Sequence, residues 1–146
     1  MKSTRSVLLV LTSLFLGLST LGAADAVGAK PGILAAYAKV SAALAADNLA
    51  DAKAAATALA TAAGPAANQP LADQATTVAK AADLAAARKS FKTLSTTVEP
   101  LAAGEKGYVV MYCPMANADW VQTTGDVRNP YFGKAMLTCG EPKKTN

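Results

Sequence analysis

The sequence predicts a mainly α-helical protein, an up-and-down bundle of three to four alanine-rich helices followed by a small C-terminal cap of loops and strands. Alanine dominates residues 32–103, where larger apolar residues recur every three or four positions. Asparagine, aspartate, glycine and proline interrupt this pattern where short turns are expected. From residue 106 onward, β-branched and aromatic residues replace the alanines, which favours extended structure.

Local signals predict the first two helices. Residues 33–48 form the first, with Pro31 in its first turn and Asn48 at its end. Asn48 is also the expected N-cap of the second helix, which Gly64 ends. The apolar faces are Ile33, Tyr37, Val40 and Leu44 in the first helix, and Leu49, Ala52, Ala56 and Leu59 in the second.

Two further helices follow a predicted turn at residues 64–70. The third is predicted over residues 71–83, and the fourth begins after Asp83, a suitable N-cap. Pro100 is expected to end or kink the fourth helix, and Gly104 to close the helical region. The apolar faces are Leu71, Ala75, Val78 and Ala82 in the third helix, and Leu84, Ala87, Phe91, Leu94 and Val98 in the fourth.

The predicted cap alternates extended pieces with loops. Residues 107–113, GYVVMYC, are predicted to form a strand. Residues 114–120 are expected to be a loop, and residues 120–124 a second short strand. Residues 125–133 form another loop, and residues 134–140 a short ordered piece before a polar tail.

The N-terminus has the pattern of a secretory signal peptide. Lys2 and Arg5 precede the apolar run VLLVLTSLFLGL, and Ala24-Asp25-Ala26 fits the A-x-A cleavage rule. A membrane anchor is the alternative, but the run is short and serine and threonine interrupt it. We therefore expect residues 1–26 to be removed and the product to be periplasmic, with no membrane contact after cleavage. A single domain, 27–146, then remains, with the helical bundle in 27–104 and the cap in 105–146.

Charge and composition disfavour nucleic-acid binding and most catalysis. The chain has 14 basic and 10 acidic residues, a net charge of +4, and removing Lys2, Arg5 and Asp25 leaves 12 and 9, or +3. This small excess is dispersed, whereas nucleic-acid binding needs a dense basic stripe with interleaved aromatic residues. The chain contains no histidine and no G-x-S-x-G motif, which excludes Ser-His hydrolases. We predict no catalytic residues and no enzymatic activity.

All sulfur atoms of the expected mature chain lie between residues 111 and 139. They belong to Met111, Cys113, Met115, Met136 and Cys139. One hypothesis is a disulfide between Cys113 and Cys139, the usual state of two cysteines in an exported protein. Closing this loop would stabilise the cap by roughly 3 kcal/mol. The methionines would then serve as hydrophobic packing.

The second hypothesis is that the same five residues bind a soft metal ion. Thiolate and thioether sulfur prefer Cu(I), and Ag(I) behaves similarly. Alternation along a strand would place Met111, Cys113 and Met115 on one face, and M-x-x-C on a turn would bring Met136 and Cys139 to one side. Structural zinc normally needs more cysteine or histidine ligands. A thiol-exchange enzyme is disfavoured because C-x-x-C is absent.

The C-terminal motif also carries a family resemblance. The stretch YCPMANADWVQTTGDVRNPYFGKAMLTCGE resembles the signature of a bacterial family of exported proteins of unknown function. Its matching residues are Cys113, Pro114, Met115, Trp120, Asn129, Pro130, Tyr131, Gly133, Met136, Cys139 and Gly140. The helical segments YAKVSAALAADNLADAKAAATALA and ADLAAARKSFKTLS are similar too, so the resemblance covers nearly all of the mature chain. The domain is also similar to one attached to periplasmic adaptor subunits of heavy-metal efflux systems.

This resemblance implies a periplasmic domain linked to copper or related metal handling. The expected cofactor is Cu(I) under the metal hypothesis and none under the disulfide hypothesis, in which the protein is an envelope protein-interaction module. The chain has no room for an adaptor module, so we expect a stand-alone domain. Its expected partner is a heavy-metal efflux adaptor or another envelope protein. Trp120 and Tyr131 are expected either to shield the ion or to pack the cap onto the bundle. Asn129, Pro130 and Gly133 are expected to have structural roles.

Overall fold

The computed structural model describes residues 24–64 and 68–144. The elements are α1 (Ala24–Ala45), α2 (Leu49–Ala63), α3 (Gln69–Ala79), α4 (Leu84–Ala102), β1 (Tyr108–Cys113), β2 (Ala118–Thr123), a 3-10 helix (Gly133–Met136) and β3 (Glu141–Pro142). The prediction of a mainly α-helical protein with a strand-rich C-terminal cap is confirmed. The predicted signal peptide lies outside the described residues, apart from its last three residues, which begin α1.

Polar side chains cap three of the helices. Asn48 accepts a hydrogen bond from the Asp51 N–H at the start of α2, and Asp83 caps α4 in the same way. Both predicted caps are therefore confirmed. Asn68 caps α3, which begins two residues before the predicted start because Pro70 fits its first turn.

Two prolines lie inside helices where the sequence pattern predicts boundaries. α1 begins seven residues before Pro31, and α4 continues two residues beyond Pro100 to Ala102. Proline removes one intrahelical N–H donor, but a helix can continue when neighbouring residues keep their hydrogen bonds. Pro31 is therefore not in the first turn of its helix, and Pro100 does not end its helix.

The predicted apolar faces meet in one core. α1 packs on α2, α2 on α3, and α3 on α4, while α4 also contacts α1. Ala82 is exposed, contrary to the prediction, because α3 ends at Ala79 before its apolar face reaches that position. Leu49 and Leu84 are partly buried at the edge of the core. The other predicted positions are buried: Ile33, Tyr37, Val40, Leu44, Ala52, Ala56, Leu59, Leu71, Ala75, Val78, Ala87, Phe91, Leu94 and Val98.

The cap contains an antiparallel sheet with strand order β2-β1-β3. β1 and β2 form a hairpin in which Cys113 lies opposite Ala118. Residues 118 and 119 therefore belong to a strand and not to the predicted loop, because pairing with β1 extends β2 toward the turn. β3, in the predicted polar tail, pairs Glu141 with Tyr112 on the other edge of β1. Among the residues described, no helix is long and apolar enough to cross a membrane.

Four aromatic rings join the cap to the helices. Tyr37 of α1 stacks on Phe91 of α4 with ring centroids 5.1 Å apart. Phe91 lies 5.9 Å from Tyr131, which meets Trp120 edge-on at 6.1 Å. Trp120 is fully buried. These contacts match the packing alternative for Trp120 and Tyr131, since aromatic pairs at such distances stabilise a core beyond the burial of their area.

Candidate functional site: a paired thiol centre

Cys113 and Cys139 lie side by side, with their Sγ atoms 3.5 Å apart and both thiols free. Cys113 ends β1 and is fully buried, whereas Cys139, just before β3, is partly exposed. The pairing of Glu141 with Tyr112 returns the chain to the end of β1 and so brings the cysteines together. A disulfide requires an S–S distance of about 2.05 Å. The sulfur atoms are therefore in contact as two thiols.

The turn after β1 directs N–H groups at the Cys113 sulfur. The Ala116 N–H donates to it at 3.4 Å, and the Met115 N–H and the Asn129 side chain lie close enough to favour its negative charge. Burial opposes ionisation of this thiol, but these donors and Cys139 together lower the pKa of Cys113 below its usual value of 9.0. Cys113 therefore resembles the thiolates that hydrogen bonds stabilise in reactive or metal-binding cysteines.

The pKa of Cys139 is shifted in the opposite direction. Its hydrogen bond to Cys113, then partial desolvation and the charge of Cys113, raise the pKa of Cys139 above 9.0. When Cys113 is ionised and Cys139 is not, the Cys139 S–H donates a hydrogen bond to the Cys113 sulfur. The pair is chemically unequal although the two residues are of the same type.

The buried Asn129 side chain lies beside both cysteines. Its Nδ2 donates to the Cys139 carbonyl oxygen at 2.6 Å, and the same side chain favours the negative charge of Cys113 and so helps to lower the pKa of that thiol. Its Oδ1 accepts the N–H groups of Tyr131 and Phe132 at 2.8 and 3.2 Å. Asn129 therefore positions the pair as well as the loop that carries it. The sequence indicates a turn at Asn129 but contains no local signal for its contact with the cysteines.

The methionines occupy two different environments. Met111, opposite Trp120 in the sheet, is 2% exposed and belongs to the core. β1 ends at Cys113, so strand alternation does not extend to Met115, which lies in the turn and is 66% exposed. Met136, at the end of the 3-10 helix, is 36% exposed, and its carbonyl accepts the Cys139 N–H. The structure thus brings the cysteines together and leaves Met115 and Met136 at the surface.

Within residues 24–64 and 68–144, no three histidine, cysteine, aspartate or glutamate side chains gather into a group that could hold a metal ion. At the thiol pair, the further sulfur donors beside Cys113 and Cys139 are therefore methionines. Soft monovalent ions accept such ligands, whereas Mg²⁺ and Ca²⁺ prefer oxygen.

An unpredicted ion pair supports the loop that contains Asn129. Arg88 of α4 donates to the carbonyl oxygens of Pro130 and Leu44, each at 2.9 Å, and binds the Asp47 carboxylate. Asp47 also accepts the Lys134 N–H. The hydrogen bond from Arg88, followed by that from Lys134, lowers the pKa of Asp47 below 3.8. This cluster attaches the loop to both α4 and the α1–α2 turn.

The helical part of the chain matches a known family. A family model described as "Protein of unknown function (DUF3347)" matches residues 33–107, which are 75 of the 146 residues. The match ends at Gly107, before β1, and so does not include Cys113 or Cys139. No curated protein and no solved structure matches the chain. Because the matched segment is more than half of the chain, the protein belongs to this family of unknown function.

Proposed function

We propose that this protein is an exported protein that binds a soft monovalent metal ion, Cu(I) or Ag(I), through Cys113 and Cys139. The observation that carries the proposal is the 3.5 Å contact between the two Sγ atoms. Two sulfur atoms this close can both reach one ion at a metal–sulfur distance of about 2.3 Å, the length of a zinc–thiolate bond. The Ala116 N–H, which donates to the Cys113 sulfur, supports the proposal, because metal-bound thiolates are commonly held by such second contacts.

Met115 and Met136 supply the remaining donors in this proposal. Among the described residues, these are the exposed large hydrophobic side chains. Met115 follows Cys113 by two residues and Met136 precedes Cys139 by three, so each methionine flanks one cysteine. Neither side chain is held in the core, which leaves both thioethers free to approach an ion at the pair. Met111 is a spare donor that would have to leave the core.

The proposed setting is the periplasm, as the N-terminal sequence predicts. There the protein would buffer the ion or pass it to a heavy-metal efflux adaptor or another envelope protein. The four helices, which pack in chain order, would form an up-and-down bundle that holds the cap. The ion would be cargo, and no catalytic step is proposed.

The metal proposal is tested by titrating the reduced protein with Cu(I) against a chromogenic Cu(I) chelator. The Cys113→Ser/Cys139→Ser variant should lose affinity by on the order of a hundredfold or more, since both thiolates are removed. Thr138→Ala, an exposed neighbour of Cys139, is the matched control and should bind as the wild type does. Met115→Leu and Met136→Leu should each weaken binding by a smaller factor. Equal Cu(I) affinity in the wild type and the double serine variant would sink the proposal.

The same contact favours a second candidate, in which Cys113 and Cys139 form a disulfide that stabilises an interaction module without metal. Small movements of the two side chains would close the bond from 3.5 Å. Counting free thiols in protein taken directly from the envelope separates the candidates. Two free thiols per chain support the metal proposal, and none in any growth condition supports the disulfide module.

A further inference from the structure

The two sulfur atoms differ in access. Cys113 is fully buried at the end of β1, while Cys139 is partly exposed. In any exchange with another thiol, the sulfur that an incoming group reaches first is therefore that of Cys139. Thiol–disulfide exchange depends on which sulfur is attacked and on how well the other sulfur leaves.

The two sulfur atoms also differ in their hydrogen-bond partners. The Cys113 sulfur accepts a hydrogen bond from the Ala116 N–H at 3.4 Å, and the buried Asn129 side chain lies beside it. Such donors stabilise negative charge on sulfur, and charge-assisted hydrogen bonds are the strong ones. Cys113 is therefore the better leaving group, and Cys139 is the sulfur that an incoming thiolate attacks.

We propose that the Cys113–Cys139 pair is an exchange-competent dithiol–disulfide couple whose partner is a dithiol reductant, and not an inert structural disulfide. In the oxidised pair, a thiolate of the partner attacks Cys139 Sγ. A bond forms between the partner sulfur and Cys139 as the Cys113–Cys139 bond breaks, and the electron pair passes to Cys113. The partner's second thiol then attacks the mixed disulfide and releases Cys139.

The reaction is balanced by the two partners alone. The reductant loses two electrons and two protons and becomes a disulfide, while Cys113 and Cys139 gain them and become thiols. In C-x-x-C proteins, closeness in the sequence brings the two sulfur atoms together. Here the pairing of β3 with β1 brings them together, so C-x-x-C spacing is not needed. The inference does not depend on metal binding, and chelator in every solution keeps the two proposals separate.

The first test identifies the attacked sulfur in the wild-type chain. The full chain is oxidised with diamide, freed of metal, treated with excess glutathione under native conditions, quenched with acid and mapped by mass spectrometry. We expect rapid reduction without denaturant and a glutathione adduct on Cys139. An adduct on Cys113, reduction only in denaturant, or two thiols remaining after diamide treatment would each overturn the proposal.

The second test weakens the leaving sulfur. Asn129→Asp keeps the size and the Oδ1 acceptor but removes the N–H donor and adds negative charge near Cys113. Its disulfide should be reduced by dithiothreitol on the order of tenfold more slowly than that of the wild type. Asn117→Asp adds the same charge to the turn between β1 and β2, where Asn117 accepts a hydrogen bond from the Tyr112 hydroxyl, and should match the wild type.

Equal reduction rates for Asn129→Asp and the wild type would contradict the assigned role of Cys113. Circular dichroism and tryptophan fluorescence establish whether each variant is folded. If Asn129→Asp does not fold, the position of the glutathione adduct decides, because that measurement needs no substitution.

Discussion

Arg88 and Asp47 form an ion pair that joins α4 to the turn between α1 and α2, at the point where the Asn129 loop crosses both. The pair is partly buried, and Arg88 uses its other N–H groups on the carbonyl oxygens of Leu44 and Pro130. Asp47 adopts a left-handed backbone with φ of 60°, which aspartate and asparagine tolerate better than most residues. The thiol pair is therefore held in place from the helical side as well as from the sheet.

This ion pair predicts a loss of stability in acid. The pKa of Asp47 is lowered in the folded protein, so its contribution is complete above the unfolded value of 3.8 and is lost as the pH falls through the folded value. Asp47→Asn, which keeps the backbone preference, should lower the urea midpoint at pH 7. The difference from the wild type should shrink between about pH 5 and about pH 2. A constant difference across that range would contradict the role of the Asp47 charge.

Gly133 is predicted to be intolerant of a side chain. Its φ is +56°, and a Cβ atom would collide with the Asp47 carboxylate and the Arg88 guanidinium. Gly133→Ala should lower the free energy of unfolding by about 1–3 kcal/mol. Gly107→Ala is the matched control, because its φ is +87° but a Cβ there has open space. Equal losses in denaturant titrations would show that the close approach to Arg88 is unimportant.

The Tyr37 hydroxyl is predicted to stabilise the contact between the bundle and the sheet. It lies 2.7 Å from Ser95 Oγ and accepts the Val121 N–H at 3.3 Å, fully buried. Tyr37→Phe leaves that N–H without its partner and should cost about 1–2 kcal/mol of unfolding free energy. Tyr112→Phe removes an exposed hydroxyl and should cost within about 0.5 kcal/mol. Chemical denaturation measures both, and a neutral Tyr37→Phe would contradict the assignment.

Met111 is predicted to contribute to the stability of the fold, whereas Met115 and Met136 are predicted to contribute little. Met111→Ala removes a core side chain and should destabilise the protein by about 2–5 kcal/mol. Met115→Ala and Met136→Ala should change the unfolding free energy by no more than about 0.5 kcal/mol, because both side chains are exposed. A large loss of stability at Met115 or Met136 would indicate a packing role and would weaken the case for these residues as metal donors.

Elements that depend on nearby residues follow from the sequence. Asn48 and Asp83 cap helices at the predicted positions because a cap is a contact between a side chain and an N–H three residues away. The buried faces of α1 and α4 follow from apolar spacing for the same reason. The strand from Tyr108 to Cys113 is also visible in its β-branched and aromatic residues.

Elements that depend on distant partners do not follow from the sequence. Residues 118 and 119 become part of a strand because β1 lies beside them, and β3 exists because Tyr112 offers a free edge. α4 continues past Pro100 because losing one hydrogen bond near a helix end does not break it. Local propensity carries none of this information, since tertiary context routinely overrides it.

The candidate site shows the same division. The sequence alone determined that all the sulfur of the predicted mature chain lies in the cap and that the chain has no histidine. The candidate soft-metal ligands were therefore cysteine and methionine. Only the tertiary structure decided that Cys113 and Cys139 touch, that Asn129 holds Cys139, and that Met111 is buried while Met115 and Met136 are exposed. The physical reason is that residue type fixes which bonds an atom can make, whereas chain folding fixes which atoms are close enough to make them.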